Sequence, residues 1–238
     1  MRLLALDTST WTASVAVVDE GGTALAAGEV RAETHSANLL PLVADVVARA
    51  GIAPAALDAV AVGVGPGSFT GLRIGLATAK GVAFAAGRPL WAVSSLAALA
   101  LDLAAATDAA LLVPVLDARR AEVFVGLYRR GGAGVIAAAP EQALAPGAVA
   151  AAIAAVRDPD ESIALAGDAL AIYGDVLSGI PDVTCPPARA TPSAASVARL
   201  ALAGDRADVL GHGAPVYIRP SEAEVMYPDG VPGARRRR

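Results

Sequence analysis

The residues between 63 and 87, GVGPGSFTGLRIGLATAKGVAFAAG, carry the spacing most suggestive of chemistry. Gly63, Gly65 and Gly67 occupy three of five positions, a Ser-Phe-Thr triplet follows, and a helical pattern begins. A glycine turn feeding a helix N-terminus offers free N–H groups and the positive end of a dipole to an anion. The two well-defined phosphate templates fail, however. A Walker loop needs Lys followed by Ser or Thr, and Lys80 is followed by Gly81 and Val82. A dinucleotide fingerprint needs G-x-G-x-x-G, and Gly65, Gly67 and Gly71 are one residue too widely spaced. The helix itself repeats small residues every four positions, at Gly71, Gly75 and Ala79. Residues i and i+4 share a face, so this flat side suits either packing inside the chain or close approach of a partner helix. Arg73 and Lys80 share a second face, as a polar rim or an anion contact.

Other candidates are sparser. Asp7, Thr8, Ser9 and Thr10 form a strand-end turn able to hold phosphate or a magnesium-bound water, or simply to cap the strand. Asp117, Arg119, Arg120 and Glu122 form a charged hairpin, open to a partner or to solvent. His35 opens HSANLLP, where Ser36 or Asn38 suits a helix cap. Cys185 precedes two prolines with no base near it in sequence, which argues against a catalytic thiol. No Ser/His/Asp set, paired acids or metal-ligand cluster emerges, so no catalytic or metal-binding residue is assigned.

These groups need elements to position them. Alternation predicts strands over 3–7, 13–19 and 23–30, with Gly21-Gly22 as a turn, then a helix from Asn38 to Ala50. A buried strand over 59–64, a helix to Ala86, a strand over 89–93 and a third helix follow. LLVPVLDARRAEVFVGLY (111–128) then repeats LLALDTSTWTASVAVV (3–18), with Asp117 in the place of Asp7. A strand near 134–139, a helix over 147–156, a strand over 162–167 and a helix over 193–203 complete a duplicated pair of α/β units. The helix at 38–50 carries an apolar band wide enough to predict burial on more than one side.

Composition fits that plan. Apolar residues make up 55% of the 238, yet only 4% are aromatic, so the core is aliphatic and Ala-rich. The net charge of −4 gives no general attraction to nucleic acid. One cysteine excludes an internal disulfide and fits a reducing compartment. The absence of a long apolar run or a signal-peptide pattern predicts a cytoplasmic protein with no membrane association.

LLALDTST, HSANLLPLV, VGVGPGSFTGLRIGLATAKG, VSSLAALA, LDARRAEVFVGLY and PVYIR, in order from residue 3 to about 219, resemble the bacterial TsaB (YeaZ) family. The resemblance implies an α/β fold of the actin/Hsp70/sugar-kinase (ASKHA) type, with lobes at 1–105 and 106–219 and a basic tail, 220–238, read as disordered. It implies a non-catalytic subunit that works with its paralogue TsaD and the ATPase TsaE. Together with the enzyme that makes threonylcarbamoyl-adenylate, these form N6-threonylcarbamoyladenosine beside the anticodon of tRNAs reading codons that begin with A. The paralogue's metal-binding His pair corresponds to Ser95 and Leu99, so no metal is expected. No intrinsic cofactor is expected either, with ATP or ADP placed only at the complex interface and tRNA met through the complex. The family pairs through the helices at 38–50 and 70–86. Leu39, Val43, Gly71, Leu72, Gly75 and Ala79 are therefore expected in or near the contact, which the isolated chain would also use to self-associate. Asp7, Thr8 and Ser9 become a phosphate turn that has outlasted its ligand. The competing expectation is a small-molecule kinase or ATPase on the same fold. A metal-dependent peptidase lacks its ligands.

Overall fold

The computed structural model describes residues 1–31, 35–132, 134–204, 206–211 and 213–218. The first half runs β1 (Leu3–Asp7), β2 (Thr12–Val18), β3 (Ala24–Arg31), α1 (His35–Arg49), β4 (Ala59–Gly63), α2 (Phe69–Ala86), β5 (Leu90–Val93) and α3 (Ser95–Ala104). The second half runs β6 (Leu111–Arg119), β7 (Glu122–Gly131), β8 (Gly134–Leu144), α4 (Val149–Ala154), β9 (Ile163–Ala166), α5 (Leu170–Leu177), β10 (Val183–Thr184), α6 (Ala194–Ala203) and β11 (Ala207–Asp208).

The sheets have the orders β11-β5-β4-β1-β2-β3 and β10-β9-β6-β7-β8. Apart from the two-residue β11, the two orders are the same. In each, an antiparallel meander opens the sheet and its first strand takes a parallel neighbour, β4 beside β1 and β9 beside β6. The duplication read from LLALD and LLVPVLD is thus a duplication of topology, the two related lobes of the ASKHA type.

Period-two alternation then sorts side chains into layers. Leu4 and Leu6 point with Val15 and Val17 into a core shared with α1 and α2, whereas Leu3 and Ala5 face the opposite way. That opposite core holds α3 and α6 and continues to Leu112 and Leu116 of the second sheet. Leu111, Val113 and Val115 face outward against α4 and α5. The inner strands of both sheets are buried on both faces, which explains their nearly continuous apolar runs.

Several expectations need correction. The chain halves do not coincide with the packed halves: α6 lies against β1, β2 and β4, and β11 pairs with β5. α6 and β11 therefore return to the first sheet, while α3 packs on β6 and β7. Helix α1 starts at His35, so Asn38 sits in its first turn instead of capping it. It is buried along one side only, leaving Leu40 59% exposed. The helix at 147–156 divides into a 3₁₀ turn, Pro146–Ala148, and α4. Sequence periodicity misses α5, whose Tyr173 has non-helical φ/ψ, and it misses β10 and β11, which are too short to show a period. The 220–238 tail, Arg235 to Arg238 included, and His212 lie outside the described residues.

Candidate functional site

The glycine segment closes on the first turn. Ser68 caps α2 by accepting from the Gly71 N–H, and its own N–H donates to the Ser9 carbonyl at 2.6 Å. The Thr8 hydroxyl donates to the Gly71 carbonyl at 2.8 Å. A Cβ added to Gly67 would fall within 3.0 Å of Ser9 main-chain atoms, one at Gly71 within 3.0 Å of the Thr8 carbonyl oxygen, and one at Gly75 within 3.0 Å of Thr8 Oγ1. Real Cβ atoms essentially never come that close. The flat side of α2 is thus occupied by the chain's own turn, and packing accounts for the glycines.

Asp7, Thr8 and Ser9 are buried, and their polar groups are used internally. Asp7 Oδ1 accepts from the Ser9 N–H at 2.8 Å and the Ser9 hydroxyl at 2.6 Å, and Oδ2 accepts from Ser95 Oγ at 2.7 Å. Burial pushes the Asp7 carboxyl above its usual range, against the hydrogen bonds from Ser9 and Ser95. Ser95 Oγ also accepts from the Gly65 N–H. Of the two positions expected to correspond to the paralogue's metal-binding pair, Ser95 ties α3 to the turn and Leu99 is core. Among the described residues, no group of three His, Cys, Asp or Glu is placed to hold a metal. No helix among them is long and apolar enough to cross a membrane. Cys185 is an exposed free thiol whose pKa is raised by desolvation.

The six residues expected at a subunit contact all point inward. Leu39, Val43, Leu72 and Ala79 are buried, and Gly71 and Gly75 face Thr8. Any surface these two helices offer a partner must be made by other side chains. Phe84 is 83% exposed, and Pro41, Ala44, Ala48, Thr70, Ala77 and Gly81 are exposed as well. Lys80 and Arg73 are not a shared anion contact: Lys80 donates to the Gly213 carbonyl and Arg73 to the Tyr217 hydroxyl at 2.9 Å, holding the returning segment on α2.

The second turn differs. Arg119, Arg120 and Ala121 at the β6–β7 tip all have positive φ without being glycine, a conformation that costs roughly 1–2 kcal/mol per residue. The tip borders a cleft of about 760 Å3 between the lobes, lined also by Trp11, Phe69, Arg73, Asp168 and Tyr217. Arg119 lies 5.0 Å from the Trp11 ring centre and Arg73 lies 3.7 Å from that of Phe69. The Asp117 N–H donates to Asp168 at 2.8 Å. Burial, with the Asp117 charge adding to it, raises the Asp168 pKa to about 6. Sequence reading found Asp117 and its arginines but missed Trp11, Phe69, Asp168 and Tyr217. Gly167-Asp168 just after β9, matching Gly63 at the end of β4, was the available signal.

With that geometry in hand, comparison with known proteins is informative. The family model described as "TsaD: tRNA N6-adenosine threonylcarbamoyltransferase" matches residues 26–201. The Escherichia coli tRNA threonylcarbamoyladenosine biosynthesis protein TsaB is 38% identical over 57% of this chain and 58% of its own length. The Haemophilus influenzae TsaB is 40% identical over 52% of each chain. The chain thus spans a little over half the length of these two curated relatives. The solved structure "YeaZ from Pseudomonas aeruginosa" superposes with a TM-score of 0.75 at 34% identity, over 91% of this chain and 99% of that one. The order of the duplicated sheets, the family-model match and this full-length likeness agree: the chain belongs to the TsaB/YeaZ family.

Proposed function

We propose that this protein is a non-catalytic assembly subunit for forming N6-threonylcarbamoyladenosine in tRNA, acting beside a TsaD-type transferase and a TsaE-type ATPase in the cytoplasm. The printed names of the TsaB relatives support the pathway. The non-catalytic reading is carried by one observation. The turn where an ASKHA protein would grip phosphate has its carboxylate, hydroxyls and flanking glycines committed to the chain's own packing. The kinase reading loses its first phosphate turn by the same observation.

Under this reading the protein works through its surface. The outer faces of α1 and α2, with Leu40 and Phe84 as apolar anchors, meet the paralogue and, in its absence, a second copy of the chain. Any ATP or ADP sits where the two paralogues join, and the tRNA whose anticodon neighbour is modified arrives through the complex. Reconstitution tests the reading directly. With tRNA, threonine, bicarbonate, ATP and the other three proteins present, omitting this chain should reduce threonylcarbamoyladenosine formation at least tenfold. An undiminished rate without it would refute the assignment.

A further inference from the structure

This reading leaves the inter-lobe cleft unused. Its volume of about 760 Å3 falls in the range of small-molecule sites, roughly 300–1,000 Å3. Two stacks of guanidinium on aromatic ring line it. One joins Arg119 to Trp11, which is half exposed. The other joins Arg73 to Phe69, with the Tyr217 ring 5.2 Å from that of Phe69. The Tyr217 hydroxyl takes the Arg73 Nε–H, and among the described residues the terminal nitrogens of Arg73 have no hydrogen-bond partner. The strained tip at residues 119–121 holds its arginine at the cleft instead of relaxing away from it. Asp117, ion-paired with Arg119 at 3.4 Å, and Asp168 complete the lining.

That mixture narrows the ligand. The two carboxylates would repel a bare phosphate, and the guanidiniums would repel a simple cation. A nucleotide satisfies both. Its base stacks on exposed rings, which is worth roughly 1–3 kcal/mol per base. Its phosphate meets Arg73, and an exocyclic amino group donates to Asp168, as cytosine N4 does to Asp or Glu. We infer that the cleft between the Trp11–Arg119 stack and the Phe69–Arg73–Tyr217 cluster binds an unpaired nucleotide of tRNA whose base carries an exocyclic amino group. The inference rests on the tRNA-modification reading, which supplies RNA as the source of that nucleotide. Uridine, which has no exocyclic amino group, binds more weakly.

Trp11 reports on the site. In the full-length Trp91→Phe protein it is the single tryptophan, and its fluorescence is titrated with single-stranded pentamers of adenylate, cytidylate and uridylate, with ATP, and with inorganic phosphate. The adenylate and cytidylate pentamers should quench saturably and several-fold more tightly than uridylate, and phosphate should do nothing. Phe69→Ala and Arg73→Gln, both at exposed positions, should each weaken pentamer binding about tenfold while the far-ultraviolet circular dichroism stays unchanged. No quenching by any pentamer, or equal affinity in both variants, would overturn the inference. ATP binding more tightly than the pentamers would overturn RNA as the source and leave a free mononucleotide. Reconstitution separates the two readings. Modification that needs the chain, without pentamer binding, sinks only the cleft. Pentamer binding by a chain the modification does not need sinks only the pathway role.

Discussion

The turn after β1 and the turn after β6 occupy the same place in two copies of one topology, and they have met opposite fates. At the first, three glycines let the main chain of α2 press onto Thr8 and Ser9, and Asp7 is enclosed by Ser9 and Ser95. At the second, the connection after β9 is brief. Gly167 passes against the Val115 carbonyl, Asp168 accepts from the Asp117 N–H, and the turn is left facing an open cleft. What decides between a closed and an open turn is the segment after the parallel strand. A glycine-rich loop and an 18-residue helix close the first, and an eight-residue helix leaves the second open. The buried groups of the first turn therefore serve stability, while the second turn lines the open cleft, with Trp11, Phe69 and Arg73 across from it.

Substitutions can break this contrast. Gly71→Ala should have the largest effect, because its Cβ would meet a backbone oxygen that cannot move without shifting the turn. A loss of about 3 kcal/mol or more is expected, lowering Tm by roughly 6–12 °C in a chain of this size. Near-wild-type melting would mean that α2 does not press on the turn. At the second turn the test is pH. Asp168 has its folded pKa raised to about 6 from an unfolded value near 3.9, so the native state binds the extra proton. Its contribution is fully present below about pH 4 and is lost as pH rises through 6. Asp168→Asn keeps an acceptor for the Asp117 N–H and removes the titration. Melts from pH 4 to 7 should show the variant flatter, by at most about 3 kcal/mol; an identical pH profile would place Asp168 in an ordinary solvated setting. The smallest effect belongs to Gly81 on the same helix as Gly71. Its Cβ would meet nothing within 4 Å, so Gly81→Ala should stabilise by about 0.5–1 kcal/mol.

Most of the architecture was legible in the sequence, because strands buried on both faces show as apolar runs and the Leu-Asp repeat marks the duplication. The return of α6 and β11 to the first sheet was not legible, since α6 reads as an ordinary amphipathic helix with no mark of which sheet it will cover. The glycine face was recognised, but its partner was misassigned. Spacing shows that something approaches Gly71 and Gly75 closely, and it cannot say whether that is another chain or Thr8. The cleft escaped because its rings, Trp11, Phe69 and Tyr217, come from three distant segments, and Trp11 or Tyr217 taken singly is an unremarkable exposed aromatic.

The central claim is that the protein acts through the outer faces of α1 and α2, and it is tested most directly by co-elution with the TsaD-type paralogue. Leu40→Asp with Phe84→Asp alters two exposed side chains, so Tm should stay within about 2 °C of wild type. The account predicts that this double variant loses co-elution by at least tenfold in apparent affinity and with it the stimulation of tRNA modification. Undiminished co-elution by a folded double variant would contradict it.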